Sequence, residues 1–172
     1  MFEIGSYVMY GNHGVCTIAE LRTEDFSGES KQYYILEPKD ERAMTIYVPT
    51  DAPALLAQMR PLLTEQEIGA LIASLQEEDT AEWIADHKAR AEYFSQVLRE
   101  GDRRRMLEMI RLIWTRRRAQ AALGKKLYQA DEHAFAKAER LLYGEFAVVL
   151  GIEHDEVVDY IRTHMASQGV GA

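Results

Sequence analysis

Residues 101–126 read GDRRRMLEMIRLIWTRRRAQAALGKK, and they differ in charge from everything around them. Nine Lys and Arg stand here against two Asp and Glu, a local balance of +7, whereas residues 1–58, 59–100 and 127–172 each carry −5. The formal net charge of the 172-residue chain is −8, so its uncompensated positive charge is concentrated in this one segment. The segment reads as a helix. Asp102 is a suitable N-cap at the positive end of the helix dipole, Met106, Ile110, Ile113, Trp114 and Ala121 recur at the spacing of one apolar face, and Gly124 supplies the stop. Trp114 lies in that apolar stripe and is expected in the core.

At about 100° per residue, Arg104, Arg111 and Arg118 fall within roughly 40° of one another, with Arg105 and Arg116 on a neighbouring line. The resulting positive stripe has two readings. It is either a solvated face whose arginines pair with acidic neighbours, or a contact for a polyanion.

On the N-terminal side the pattern changes from helical to extended. Residues 6–10, 15–20, 32–37 and 43–48 are short runs rich in Val, Ile, Tyr and Thr, divided by turn-forming stretches such as Gly11-Asn12-His13-Gly14 and Ser27-Gly28-Glu29. Four or five short strands fit a small curled barrel. The composition shift predicts an α+β protein with a β domain over residues 1–58 and a compact all-α helical bundle over residues 59–172. In the bundle, the sequence predicts a short helix over 51–59, a helix opened by a Thr64/Glu67 capping box, and a long one over 81–99 capped by Asp79 with Glu82. A helix over 130–150 built on Phe135, Ala138, Leu142, Phe146 and Leu150 ends at Gly151, and a last one over 155–165 precedes a frayed tail from Ser167.

With 47% hydrophobic and 28% charged residues, the chain can bury a sizeable core. It has no apolar run long enough for a membrane span and no secretory leader pattern, which predicts a cytoplasmic protein with no membrane partner. The single cysteine, Cys16, lies in an alternating segment and reads as a small buried strand residue.

Catalytic signatures are missing. The five histidines are scattered, and none belongs to an HExxH or a Cys/His ligand cluster, so no metal or other cofactor is expected. Gly124-Lys125-Lys126 is a helix terminus followed by basic residues, since no glycine precedes it at the spacing of a phosphate loop. The acidic clusters Glu77-Glu78-Asp79 and Glu153-His154-Asp155-Glu156 fall at loops or helix starts, where carboxylates offset the helix dipole. The chain is read as a non-enzyme with no small-molecule substrate. Trp83 has two readings: an indole packed beneath a neighbouring helix, or an aromatic projecting beside a basic face to stack on or wedge against bases.

Nearly the full length resembles the CarD (CdnL) family of bacterial transcription regulators. The resemblance rests on the opening FEIGSYVMYGNHGVCTI, the YVP ending of the β region, Trp83, the Gly101-Asp102 helix start, and the GKKL, ADE and AERLLYGEFAVVL runs. The opening is similar also to the polymerase-interacting module of transcription-repair coupling factors. The resemblance implies a Tudor-like, SH3-like domain that binds the β subunit of RNA polymerase, and a helical domain that contacts promoter DNA at the upstream edge of the transcription bubble and stabilises the open complex. It implies a nucleoid-associated protein whose DNA contact is weak alone and tethered by polymerase.

By position within the family motifs, Trp83 corresponds to the minor-groove wedge, and Lys88, Arg116 and Lys126 to basic positions. Arg111 and Arg118 join the DNA-contacting set from the stripe geometry. Where family members place arginines toward polymerase, this chain has Glu24 and Tyr47, with Arg22 nearby, and these three form the expected polymerase-binding set. The alternative is a protein-only adaptor that bridges polymerase or another protein without touching DNA, its arginines paired with acidic groups.

Overall fold

The computed structural model describes residues 2–76 and 81–169, with side chains through residue 166. The chain divides into two compact units, Met1–Leu62 and Leu63–Ala172.

The first unit is an antiparallel sheet of five strands in the order β4-β3-β2-β1-β5: β1 Tyr7–Tyr10, β2 Val15–Asp25, β3 Ser30–Pro38, β4 Ile46–Pro49 and β5 Met59–Arg60. Alternation along the strands sends Val8, Tyr10, Cys16, Ile18, Leu36 and Val48 into one apolar cluster. Burial pushes the Cys16 thiol up to about 12, with the Glu41 and Asp40 carboxylates adding to the effect. Gly14 closes the turn after β1 at φ +74°, a conformation that side chains with a Cβ rarely adopt, and His13 stacks on Tyr10 at 6.0 Å.

Two expectations need correction here. The helix read over 51–59 is a single turn, α1 Pro53–Leu56, because Met59 leaves it to pair with Tyr10 and to fill the floor of the sheet core. β2 and β3 also run several residues beyond the runs read from the sequence. Their outer halves are polar, and pairs such as Thr23 with Gln32 and Glu24 with Lys31 extend the hairpin past the core without an apolar signal. At the hairpin tip the Asp25 carboxylate accepts the Gly28 N–H at 2.7 Å.

The second unit packs α2 Glu65–Ser74, α3 His87–Glu100, α4 Arg103–Ala122, α5 Gln129–Leu150 and α6 Val157–Gly169 around Ile68, Ile72, Phe94, Met109, Leu142 and Phe146. The Thr64/Glu67 capping box forms in both directions, with bonds of 3.1 and 2.7 Å. Asp102 caps α4 through the Arg105 N–H, and Gly151 ends α5 in the left-handed conformation. Glu145, wholly buried, accepts the Leu63 N–H at 2.9 Å and two bonds from Arg103, tying the start of the unit to α4 and α5. α6 continues past Ser167 to Gly169, and a one-turn 3-10 segment, His154–Glu156, precedes it.

Trp114 is not in the core: it is 39% exposed. Around the helix it falls between Ile110 and Leu107, both buried, so its exposure comes from its position along α4, seven residues beyond Leu107, and not from its angle. Ala121 is exposed as well. Among the described residues, no helix is long and apolar enough to cross a membrane, and no group of three or more His, Cys, Asp or Glu is placed to hold a metal ion.

Candidate functional site

The helix expected over 81–99 begins only at His87. Asp86 caps it by accepting the Ala89 N–H at 2.9 Å, and Glu82 and Trp83 precede it in a segment without regular secondary structure. The Asp79 part of the expected cap, like residues 77–80 as a whole, lies outside the described residues. Trp83 and Ile84 are held by tertiary contacts rather than by helix bonds. The Ile84 carbonyl accepts from Arg90 Nη1 at 2.9 Å, and the Trp83 ring meets Phe94 edge-on at 6.1 Å.

Trp83 is half-buried and flanked by two cations, the Arg90 guanidinium 4.7 Å and the Arg116 guanidinium 5.3 Å from the ring centroid. These two cations differ in freedom. Arg90 is 3% exposed and bound to Asp131 through two bonds of 2.8 Å, so its charge is answered and its position fixed. Arg116, half-buried on α4, is bonded to the Gln120 side-chain oxygen at 2.9 and 3.1 Å, and no carboxylate among the described residues pairs with it. A stack of this kind at an exposed site contributes about 0.5–1 kcal/mol, little enough for Arg116 to exchange it for a phosphate.

The same residues wall a concavity of about 530 Å³, which also takes in Lys125, Lys126, His87 and Tyr128. Tyr128 is 59% exposed, 4.0 Å from the His87 ring. Lys125 and Lys126 project from the connection after α4, again with no carboxylate partner among the described residues. The concavity thus combines three cations that no carboxylate among the described residues pairs with and an aromatic surface, a composition suited to phosphate and base.

Of the residues predicted for DNA contact, the structure brings Trp83, Arg116 and Lys126 together. Lys88 is exposed in the first turn of α3, where a cation opposes the helix dipole. Arg111 and Arg118 are on the other side of α4, roughly 140–160° from Arg116. There Arg111 donates to the Leu75 carbonyl, and Arg118 lies 4.8 Å over Trp114. The rest of the basic segment is largely answered within the unit: Arg103 by Glu145, Arg104 by Glu108, Arg105 by Glu100 and Arg117 by Glu132. Sequence reasoning missed Arg90, His87 and Tyr128, which reach the concavity only because α5 packs against α3.

In the first unit, Glu20, Arg22 and Glu24 share one face of β2, and the Arg22 guanidinium is held between the two carboxylates. Tyr33 lies directly opposite Arg22 on β3, and Tyr47 on the edge strand β4 packs against it at 6.1 Å. Phe26, 62% exposed, completes an aromatic trio with both tyrosines at 5.4 Å. The three expected polymerase-facing residues therefore lie on or beside one acidic, aromatic surface, to which Phe26 and Tyr33 are additions. An exposed aromatic beside turn residues was the available signal.

Residues 2–63, nearly all of this unit, match the family model described as the CarD-like/TRCF RID domain. Over 162 residues the chain is 23% identical to a Bacillus subtilis (strain 168) protein named "Putative transcription factor YdeB", an alignment covering 93% of this chain and 99% of that protein. The resemblance carried by FEIGSYVMYGNHGVCTI is borne out over the first unit, and the similarity to the Bacillus protein extends through the helical one.

Proposed function

We propose that the protein is a non-enzymatic transcription regulator in which the first unit binds the RNA polymerase β subunit and the second contacts promoter DNA at the upstream edge of the bubble, stabilising the open complex. The RID match and the name of the Bacillus relative support a transcription-related role with a polymerase-interacting domain. The observation that carries the DNA contact is the Trp83–Arg116 stack beside Lys125 and Lys126, cations left without carboxylates in a strongly acidic chain.

Polymerase contact belongs to the Arg22, Glu24 and Tyr47 surface, extended by Phe26. Because it is acidic and aromatic, its match on polymerase is a basic surface with apolar recesses. DNA contact centres on Trp83, Arg116 and Lys126, with Lys88 on the adjoining helix turn, while Arg111 and Arg118 stand on the far face of α4, outside that contact. The half-buried indole meets DNA from the wall of a concavity rather than as a free projection, and Arg116 leaves the ring for a backbone phosphate as it does so. A ligand shifts the closed-to-open equilibrium only by its differential affinity, and about 1–3 kcal/mol per stacked base gives roughly a five- to hundredfold shift.

The test is open-complex lifetime with the full chain and polymerase. Trp83→Ala is expected to leave capture of polymerase intact and to shorten the lifetime severalfold. An unchanged lifetime overturns the DNA contact, and failure of the full chain to capture core polymerase overturns the tether. A protein-only adaptor is the second reading, favoured by the internal pairing of Arg103, Arg104, Arg105 and Arg117. It predicts no dependence on DNA at any salt concentration.

A further inference from the structure

On the other side of α4 from the Trp83 concavity lies a second one, of about 420 Å³, bounded by α4, α5 and α6. Its floor is apolar and out of solvent, formed by Leu107, Ile110, Phe135, Tyr143 and Ile161. Trp114 stands at its mouth, 39% exposed. Neither the polymerase surface nor the Trp83 concavity uses any of these residues.

The polar groups at this site are few and convergent. Arg111, Arg117 and Arg162 line the rim, and Arg118 lies over the Trp114 ring. Arg117 is engaged by Glu132 at 2.6 Å, whereas no carboxylate among the described residues pairs with Arg162 or Arg118. Among the described residues, the one carboxylate in the lining is Glu139. Burial raises its pKa against the pull of Arg117 and His154, so the charged form that would attract a cation is the form the site disfavours. Burial likewise pushes the Tyr143 hydroxyl up to about 12, leaving it a neutral donor beside the floor. Apolar walls, a volume within the usual range for small-molecule sites and a handful of converging polar groups are the make-up of a ligand pocket.

We propose that this groove binds a small amphipathic anion, an aliphatic or aromatic carboxylate whose apolar part lies on Ile110, Phe135 and Ile161 under Trp114 and whose carboxylate meets Arg162. Charge complementarity selects the anion: among the described residues, guanidinium groups outnumber the single carboxylate around the mouth. The site is independent of the transcriptional reading, since it lies on the opposite face of α4 and stands whether or not DNA binds.

The experiment titrates the full chain with decanoate and with decylamine, both below their micelle-forming concentrations, and follows tryptophan fluorescence and heat. Decanoate is expected to bind saturably with one-to-one stoichiometry, and its fluorescence response to vanish in Trp114→Phe. Decylamine is expected to bind about tenfold more weakly or not at all, and the exposed-site variant Arg162→Glu to weaken decanoate about tenfold. Absence of saturable decanoate binding overturns the proposal. Equal binding of the amine, or no effect of Arg162→Glu, overturns it as well, because the groove would then be an unselective apolar surface. Concentration-dependent self-association that decanoate relieves, read by sedimentation, would make the occupant a second copy instead and equally overturn it.

Discussion

Arg90 and Asp131 face each other through two parallel bonds of 2.8 Å, Nε to Oδ1 and Nη2 to Oδ2, with each residue almost wholly out of solvent. The pair joins α3 to α5 and sets the guanidinium plane near Trp83, so the position of the indole depends on a residue far along the chain. Removing one partner leaves the other charge buried and unanswered. Asp131→Ala is expected to cost about 3–5 kcal/mol in chemical denaturation, and the double variant Arg90→Met/Asp131→Leu appreciably less. Near-UV circular dichroism should register a changed Trp83 environment in both.

The two sides of α4 make separable predictions about DNA. Lys125→Glu and Lys126→Glu act on the cations beside Trp83, and each phosphate contact removed is expected to flatten the log–log salt dependence of promoter binding by about 0.9. Arg118→Glu, which alters the Trp114 side, should leave the slope smaller by much less than either lysine change. Measuring the slope for the polymerase-bound complex over a range of salt concentrations compares all three.

Glu139 gives a pH prediction with a definite sign. Its carboxyl titrates above the ordinary range in the folded chain, because burial outweighs the attraction of Arg117 and His154. Between the unfolded value of about 4.3 and that raised value the native state holds more protons than the unfolded one, so stability falls as pH rises through the window. Glu139→Gln removes the titration. Its melting temperature is expected to exceed that of the natural chain at pH 7, with the gain fading as pH falls to about 4; thermal unfolding across that range decides it.

How far the sequence could be read follows from how local each signal is. The Thr64/Glu67 box, the Asp102 cap and the Gly151 stop are decided within a few residues, and all three are where the spacing put them. The start of α3 is not decided locally. Asp86 and the packing of Trp83 and Ile84, with Arg90 bonded to the Ile84 carbonyl, override a capping pattern further upstream. Trp114 was misplaced because helical spacing gives a residue's angle around the axis and not how far along that axis the neighbouring helices cover it. The Trp83 concavity was half legible: Trp83, Arg116 and Lys126 came from the family resemblance, whereas Arg90, His87 and Tyr128 join them only through the approach of α5.

In β2, Ile18 pairs with Leu36 and Glu20 with Ile35, so Ala19 has no opposite number. That one extra residue resets the phase of the strand. Cys16 and Ile18 point inward before it, Leu21 packs inward after it, and Glu20, Arg22 and Glu24 are kept together on the outer side. The hairpin is thereby mechanically divided into a root that belongs to the core and an arm that does not. Such an arm can gain or lose residues in matched pairs, lengthening or shortening its reach toward a partner, while the root beneath it goes on folding unchanged.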